Sequence, residues 1–307
     1  MSATSLRLVS VIIPFYNAPL EFLQEAVESV RAQSYRLWEI LLVDDGSTGP
    51  CTDWALRCAR QCPDQVRYLE HDGHRNRGSS ASRNLGAHEA RGDYVAFLDA
   101  DDVWLPDKLL EQVAILDAQP EAGMLYGNSQ YWYSWDADPA SAQRDYMPRL
   151  GIKSGTLVRP PALLPLFLRG AIAVPCTCSI LLRRETLEAI GGFEKQFESM
   201  YDDQVLYAKV CLEAPVYVSD RCWDRYRQHP ASMCATRDAA HERQSRRRYL
   251  EWLEGYLSER RVGNAAVRRA LREELWIVRH PAFRRPVEKM RRLVWYWRDP
   301  VKARAVR

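Results

Sequence analysis

Strand-like apolar runs alternate with segments of helical spacing through the first 118 residues, and this alternation limits the fold more than any other feature. The strand-like runs are Leu8–Pro14, Glu39–Val43, Val66–Leu69 and Tyr94–Leu98, and the helical segments are Leu20–Gln33, Thr52–Gln61, Ser79–Ala90 and Pro106–Ala118. Strands joined through helices run parallel, because each crossover brings the chain back in the same direction. The pattern therefore predicts an α/β fold with a mostly parallel, doubly wound sheet.

The pattern is less regular in the second half of the chain. Pro, Gly and Asp accumulate between Ser134 and Pro165, which indicates an irregular surface excursion. Thr177–Leu182 and Val216–Val218 are typical of strands, and a helix is expected from about Asp202 to Leu212.

Charge divides the chain near residue 240. Residues 241–307 carry 19 Lys or Arg against 8 Asp or Glu, whereas the first 240 residues carry 24 against 32. The shift predicts a boundary near residue 240, with one domain over 1–240. A basic helical extension is expected over 241–307.

Cysteine usage and hydropathy indicate the compartment. The eight cysteines form no CxxC pair, so a zinc ribbon or a thioredoxin-like site is not expected, and the thiols are predicted to be reduced and structural. No apolar run reaches the roughly 18–20 residues that span a bilayer. We therefore expect a cytoplasmic protein.

Three carboxylates follow the apolar run Tyr94–Leu98: Asp99, Asp101 and Asp102. Carboxylates this close repel one another unless a positive charge lies between them. A divalent cation such as Mn²⁺ or Mg²⁺ suits such a site, since it takes one or two carboxylates and completes its shell with water and phosphate oxygens. The alternative is a solvated acidic turn that caps the next helix through Asp102 or Asp107.

Polar residues follow the other strands of the predicted sheet as well. They are Tyr16 and Asn17 after the first strand, Asp44 to Ser47 after the second, and Arg83 and Asn84 in the third connection. Because the carboxyl ends of parallel strands share one edge, these groups are expected to form a single site large enough for a nucleoside diphosphate. There, Asp44 can accept from a base N–H, and Arg83 can reach a base carbonyl or a phosphate.

Four motifs together resemble the family 2 glycosyltransferases. They are Val9-Ser10-Val11-Ile12-Ile13-Pro14-Phe15-Tyr16-Asn17, Val43-Asp44-Asp45-Gly46-Ser47, Ala81-Ser82-Arg83-Asn84-Leu85-Gly86 and Phe97-Leu98-Asp99-Ala100-Asp101-Asp102. The resemblance is dense over residues 8–110, thinner to about residue 235, and absent from the extension. It implies the GT-A fold, with a nucleotide-binding half over 1–130 and an acceptor half over 131–240, and an inverting enzyme that uses a nucleotide sugar.

The resemblance also implies a role for individual residues. Tyr226-Arg227-Gln228-His229 resembles the family's Arg-x-His segment beside the diphosphate. The donor-binding residues are then Pro14, Tyr16, Asp44, Arg83, Asp99 and Arg227, the metal ligands are Asp101 and His229, and the catalytic carboxylates are Asp202 and Asp203.

The segment Met200-Tyr201-Asp202-Asp203-Gln204 resembles the family's Glu-Asp pair, which holds the catalytic base. Asp202 stands where the family has Glu, so Asp203 is expected to be the base. The alternative is that both acids only favour the N-terminus of the following helix.

These expectations define a reaction: a sugar moves from a nucleotide-diphosphate sugar, UDP being the favoured nucleotide, to a hydroxyl of a glycan or lipid-linked acceptor in cell-surface polysaccharide synthesis. The aromatic run Tyr131–Trp135 could supply an acceptor platform, or it could be a strand that packs inward. Two other functions are considered: a haloacid-dehalogenase-like phosphotransferase, and a sugar-nucleotide-binding scaffold without turnover.

The extension combines Trp252, Trp276, Trp295 and Trp297 with the runs 246–248 and 291–292 of arginine. Arginine and tryptophan on amphipathic helices are typical of a membrane-surface element. Peripheral contact with an anionic membrane is therefore expected, and nucleic acid is not expected as a partner. The alternative is a helical pair that packs on the catalytic domain.

Overall fold

The structure, a computed structural model, describes residues 7–283 and 286, apart from 137, 199, 233, 234, 236 and 237. The chain divides into two compact units, one ending at Arg237 and the other beginning at Asp238. The predicted boundary at residue 240 lies three residues beyond this division.

The first unit begins with the predicted alternation of strands and helices. Its elements are β1 (Val9–Phe15), α1 (Leu20–Arg31), β2 (Trp38–Asp44), α2 (Pro50–Gln61), β3 (Val66–Glu70), α3 (Ser79–Glu89) and β4 (Tyr94–Phe97). The four strands are parallel in the order β3-β2-β1-β4. The predicted strands and helices of this half are confirmed to within a few residues at each end.

The rest of the first unit extends the same sheet. Its elements are β5 (Val103–Trp104), α4 (Lys108–Ala118), β6 (Met124–Trp132), α5 (Pro139–Ala142), β7 (Thr156–Val158), α6 (Leu164–Leu168), β8 (Ile180–Arg183), α7 (Arg184–Ala189), α8 (Asp202–Glu213) and β9 (Val216–Arg227). The sheet order is β3-β2-β1-β4-β8-β6-β9-β5, and β7 pairs with β9. Because β8 runs antiparallel to β4 and β6, the sheet is mixed in this half, and the predicted parallel character holds for the first half.

Two strand predictions needed correction. The strand expected at Val216–Val218 continues for 12 residues to Arg227. Its polar second part does not look like a strand in the sequence, although Trp223, Asp224 and Arg227 are buried. The strand expected from Thr177 begins only at Ile180, because residues 177–179 form a 3₁₀ turn.

The core of the first unit surrounds β1, β2 and β4, all of whose residues are buried. One face of α1 packs into this core through Leu23, Ala26, Val27 and Val30, which are fully buried. Burial of this apolar surface fixes the strands and therefore aligns their carboxyl ends at one edge of the sheet.

The described part of the second unit contains the helices α9 (Ala239–Glu259) and α10 (Ala265–Arg279). The side chains of Asp238 and Asn264 cap their N-termini. The helices pack through buried apolar residues, among them Leu250, Leu253, Leu271 and Leu275. No helix in the described residues is both long and apolar enough to cross a bilayer.

Seven cysteines are free thiols, as predicted: Cys51, Cys58, Cys62, Cys176, Cys178, Cys211 and Cys222. Cys234, Trp295, Trp297 and the arginines at 291 and 292 lie outside the described residues.

Candidate active site

Hydrogen bonds from backbone N–H groups to side-chain oxygens tie the end of β1 to the loop that follows β2. The Asn17 N–H donates to Ser47 Oγ at 2.9 Å, and the Thr48 N–H donates to Asn17 Oδ1 at 2.8 Å. Asn17 has a φ of +45°, a left-handed conformation that asparagine tolerates better than most residues. The two strand ends are therefore held as one polar edge, with Tyr16 projecting from it at 55% exposure.

Asp44 is fully buried at the end of β2. Its Oδ1 accepts from the Ser47 N–H at 2.7 Å, and its Oδ2 accepts from Thr52 Oγ1 at 2.5 Å and from the Tyr68 hydroxyl at 3.1 Å. The carboxylate is therefore rigidly oriented. Sequence reasoning did not single out Thr52 or Tyr68, which contact Asp44 only through the fold.

Asp45 organises the loop before α3. Its two oxygens accept from the Arg77 and Gly78 N–H groups at 2.7 and 2.9 Å. Gly46, at a φ of +82°, lets this loop come close, since a Cβ there would lie 2.7 Å from the Asn76 nitrogen. These contacts fix the start of α3, the helix that carries Arg83.

Arg83 joins two carboxylates that are far apart in the sequence. Its buried guanidinium donates to Asp99 Oδ1 at 2.6 Å and to Asp202 Oδ2 at 2.5 Å. Burial raises the pKa of Asp99, and the Arg83 charge opposes that shift. The arginine thus brings the end of β4 together with the start of α8.

Asp202 and Asp203 differ in their surroundings. Asp202 Oδ2 accepts from both Arg83 and the Ser79 hydroxyl, so it is held by charge-assisted hydrogen bonds. Asp203 Oδ1 accepts from the Gln204 N–H at 2.7 Å. Burial, followed by the negative charge of Asp202, raises the pKa of Asp203 to about 7.

Asp101 and His229 meet at the same edge. His229 Nε2 lies 2.9 Å from Asp101 Oδ2, although the residues are 128 positions apart. Asp102 is fully buried beside them: its Oδ1 accepts from the Arg227 N–H at 2.9 Å, while its Oδ2 has no hydrogen-bond partner among the described residues. Burial, followed by Asp101 and Asp99, raises the pKa of Asp102 well above its ordinary value.

The Arg227 side chain is buried in an aromatic enclosure. Its guanidinium carbon lies 4.2 Å from the centre of the Phe22 ring, 4.6 Å from that of Trp132 and 5.4 Å from that of Trp135. Arg227 Nε donates to the Asp101 carbonyl at 2.7 Å, and another guanidinium nitrogen pairs with Glu25. Sequence reasoning missed Phe22 and Glu25, whose helical spacing on α1 gives no sign of this contact.

Asp101 and His229 offer a carboxylate oxygen and an imidazole nitrogen, which are ligand types that a divalent cation such as Mn²⁺ takes. Their atoms Oδ2 and Nε2 lie 2.9 Å apart, an ordinary hydrogen-bond distance, so a bound cation would take the place of this contact. No group of three His, Cys, Asp or Glu side chains suited to a metal occurs in the described residues, so phosphate and water oxygens would have to complete the shell.

The structure therefore gathers most of the predicted residues into two linked clusters. One contains Arg83, Asp99, Asp202 and Asp203, and the other contains Asp101, Arg227 and His229. Asp44 and Tyr16 lie at the ends of the adjacent strands, and Pro14 is buried within β1. Asp202 and Asp203 do begin α8, as expected if they only favour the N-terminus of that helix, but Asp202 also contacts Arg83. The individual ligand-binding and catalytic roles remain predictions.

The aromatic run is divided between a strand and a turn. Tyr131 and Trp132 end β6, and residues 134–136 form a 3₁₀ turn. Tyr131 stacks on Tyr146, whose side chain is half exposed, with ring centres 4.7 Å apart.

Solved glycosyltransferase structures share this architecture. Residues 1–349 of S. aureus TarS in complex with UDP-GlcNAc align with a TM-score of 0.60 and 18% identity, over 79% of this chain and 65% of that chain. The mannosyltransferase PcManGT from Pyrobaculum calidifontis was solved in complex with GDP-Man and Mn²⁺. It aligns with a TM-score of 0.58 and 21% identity, and the alignment covers 89% of this chain and 70% of that chain. These likenesses confirm the predicted GT-A fold.

Curated relatives are similar to this chain in sequence. The succinoglycan biosynthesis protein ExoW of Rhizobium meliloti is 25% identical, and the alignment covers 95% of this chain and 94% of ExoW. The O-antigen biosynthesis protein RfbC of Myxococcus xanthus is 34% identical over 62% of this chain. The chain spans only 13% of RfbC, and less than a fifth of two other relatives.

The family model described as glycosyl transferase family 2 matches residues 10–191, which is more than half of the chain. This range holds the strand ends, Arg83 and the three acids after β4. The chain belongs to glycosyl transferase family 2.

Proposed function

We propose that this protein is an inverting, metal-dependent glycosyltransferase that moves a sugar from a nucleotide-diphosphate sugar to an acceptor hydroxyl. The observation that carries the proposal is the pair of contacts from Arg83 to Asp99 and Asp202. Through these two contacts, the single side chain of Arg83 joins a candidate donor-binding carboxylate to the segment that holds the candidate base. A site for sugar transfer needs these two functions side by side.

Asp203 is the better candidate for the base. Asp202 is engaged by Arg83 and Ser79, whereas the pKa of Asp203, raised to about 7, suits proton transfer near neutral pH. In the proposed reaction, Asp203 accepts the proton of the acceptor hydroxyl as that oxygen attacks the anomeric carbon. Attack opposite the leaving diphosphate inverts the anomeric configuration.

The donor end of the site uses the remaining predicted residues. Asp44, Pro14 and Tyr16 border the nucleotide, and Asp101 with His229 would hold Mn²⁺ or Mg²⁺. When bound, such a cation neutralises charge on the leaving diphosphate. Arg227 was predicted to contact the diphosphate, but its contacts with the Asp101 carbonyl and Glu25 support a role in positioning Asp101.

We further propose cell-surface polysaccharide synthesis as the setting, with a glycan or a lipid-linked sugar as the acceptor. The names of ExoW and RfbC, which refer to succinoglycan and O-antigen biosynthesis, support this class of product. UDP is the nucleotide that we favour; TarS was solved with UDP-GlcNAc and PcManGT with GDP-Man, so the donor panel must include both nucleotides. We propose the cytoplasm as the compartment, and this proposal rests on the proposed nucleotide-sugar donor.

Two other functions have less support. A haloacid-dehalogenase-like enzyme usually carries its Asp-x-Asp motif after the first strand, whereas β1 ends at Phe15 without an acid. The family match also opposes that function. A non-catalytic scaffold would share the donor site, so only turnover separates it from an enzyme.

The experiment is to incubate the protein with a panel of nucleotide sugars and Mn²⁺ and to measure the nucleoside diphosphate released. We expect slow donor hydrolysis that chelation abolishes, and calorimetry should show Mn²⁺-dependent nucleoside diphosphate binding that Asp101→Ala removes. Asp107→Ala, which changes an acid outside both clusters, is the matched control. Phosphate release from phosphomonoesters would support the phosphotransferase, and binding without product would support the scaffold. Equal affinity in wild type and Asp101→Ala would overturn the metal role.

A further inference from the structure

Helix α10 carries a large aromatic side chain outside its buried stripe. Its buried stripe consists of Val267, Ala270, Leu271, Glu274, Leu275 and Ile277. At 3.6 residues per turn, Trp276 falls at the centre of the opposite face, and it is 45% exposed. Packing within α10 and α9 therefore does not account for this tryptophan.

The tryptophan is part of a continuous surface. The His280 ring stacks on Trp276 with centres 4.6 Å apart, and the Phe283 ring lies 5.3 Å from it and is 52% exposed. Arginines flank these rings at helical spacing. The resulting aromatic–arginine face consists of Arg269, Arg272, Trp276, Arg279, His280 and Phe283, all exposed.

The charge of this face is only partly balanced. Arg269 pairs with Glu273 at 3.0 Å, but neither Arg272 nor Arg279 has an ion-pair partner in the part of the chain that the structure describes. The sequence that follows the face also has a positive net charge, since residues 284–307 contain nine Lys or Arg against two Asp or Glu. The face therefore joins exposed aromatic surface to uncompensated positive charge.

We propose that the aromatic–arginine face of α10 binds the surface of an anionic lipid bilayer. Trp and Phe place their rings at the boundary between headgroups and acyl chains, while arginine side chains reach lipid phosphates. An acidic protein or a nucleic acid would satisfy the arginines, but it would not account for two large rings at the centre and end of the face. The charge complementarity and the aromatic pair together favour lipid.

The test uses the full chain in co-sedimentation with vesicles of phosphatidylcholine alone or of phosphatidylcholine mixed with phosphatidylglycerol. The wild type should bind the anionic vesicles and bind neutral ones weakly. Arg272→Glu with Arg279→Glu should weaken anionic binding by at least about 25-fold, since each basic residue near such a surface contributes about fivefold. Arg57→Glu with Arg60→Glu, an equal change of charge on exposed positions of α2, is the control and should bind almost as the wild type does.

A second pair of variants tests the aromatic contribution. Trp276→Ala with Phe283→Ala should reduce binding by about tenfold or more, and most of the loss should persist in about 1 M NaCl, where the Debye length is about 3 Å. Leu110→Ala, at another exposed apolar position, should not change binding. Circular dichroism should show unchanged helix content in all variants.

Several outcomes would overturn the proposal. The proposal would be wrong if the wild type binds no vesicles or binds both vesicle types equally. It would also be wrong if the α2 control loses as much binding as the Arg272→Glu, Arg279→Glu variant, or if removal of both rings leaves binding unchanged. A concentration-dependent dimer that Trp276→Ala abolishes would identify a second copy as the occupant instead. Donor hydrolysis should be the same in every variant, so the outcome is separate from the test of the enzyme itself.

Discussion

Single carboxylates in this site differ because of their neighbours. Asp202 and Asp203 are adjacent in sequence, yet Arg83 and Ser79 bond Asp202, while burial and the Asp202 charge raise the pKa of Asp203 to about 7. A base must be deprotonated to act, so the rate of sugar transfer should rise with pH up to about 7 and then level off.

The same rise in the pKa of Asp203 means that the folded protein holds the Asp203 proton more tightly than the unfolded chain does. The contribution of Asp203 to the free energy of unfolding is therefore greatest below about pH 4, and it declines as the pH rises through 7.

Replacing Asp203, the proposed base, tests this difference. Asp203→Asn should lower kcat by about 10²–10⁴-fold, because general-base catalysis contributes that much, and it should leave nucleotide affinity unchanged. At pH 8 its melting temperature should not fall, since the amide removes a buried charge. The comparison is Asp202→Asn, which removes the negative charge that pairs with Arg83 and should lower stability as well. A near-normal rate for Asp203→Asn would show that another group is the base.

Positioning of the Asp101–His229 pair can be tested through Glu25, which is half exposed on α1 and pairs with Arg227. Glu25→Gln should weaken Mn²⁺ binding, measured in the presence of UDP, by about tenfold, since groups that orient metal ligands have effects of that order. Glu28→Gln is the control, because Glu28 pairs with Arg31 on the same helix, outside both clusters. Equal effects of the two substitutions would contradict the positioning role. Amide exchange of residues 225–229 in the metal-free protein provides a second measurement and should increase only in Glu25→Gln.

At the scale of elements, the contact between α3 and β1 decides where Arg83 lies. Gly86 makes this contact possible, since a Cβ there would lie 2.5 Å from Ile12 Cγ2. Gly86→Ala should therefore destabilise the protein by about 1–3 kcal/mol, even though alanine favours helices. In α9, where nothing lies within 4 Å of a Cβ on Gly255, the same substitution should stabilise by up to about 1 kcal/mol. Urea unfolding of both variants measures the difference, and a stabilised Gly86→Ala would refute the close contact.

For the whole molecule, the two units are expected to separate in function. Every predicted site residue lies between residues 14 and 229, within the unit that ends at Arg237. A chain truncated after residue 237 should therefore keep its affinity for UDP and Mn²⁺, and it should lose binding to anionic vesicles. Calorimetry and co-sedimentation on the same preparation check both expectations. Loss of UDP affinity in a folded truncated chain would mean that the second unit contributes to the site.

The sequence alone was sufficient for the features that depend on neighbouring residues. The period of apolar residues and the turn chemistry predicted the alternating first half, the polar strand ends and the acids after β4, because those signals act over a few positions. The predicted start of α8 at Asp202 has the same local basis.

Only the tertiary structure decided which of those residues meet. Arg83 and Asp202 are 119 positions apart, and Arg227 and Glu25 are 202 apart, so their contacts depend on sheet order rather than on any local pattern. The polar second half of β9 was missed for the same reason, since its strand structure comes from pairing with β6. The exposure of Trp276 also needed the fold, because the sequence does not show which face of α10 the partner helix covers.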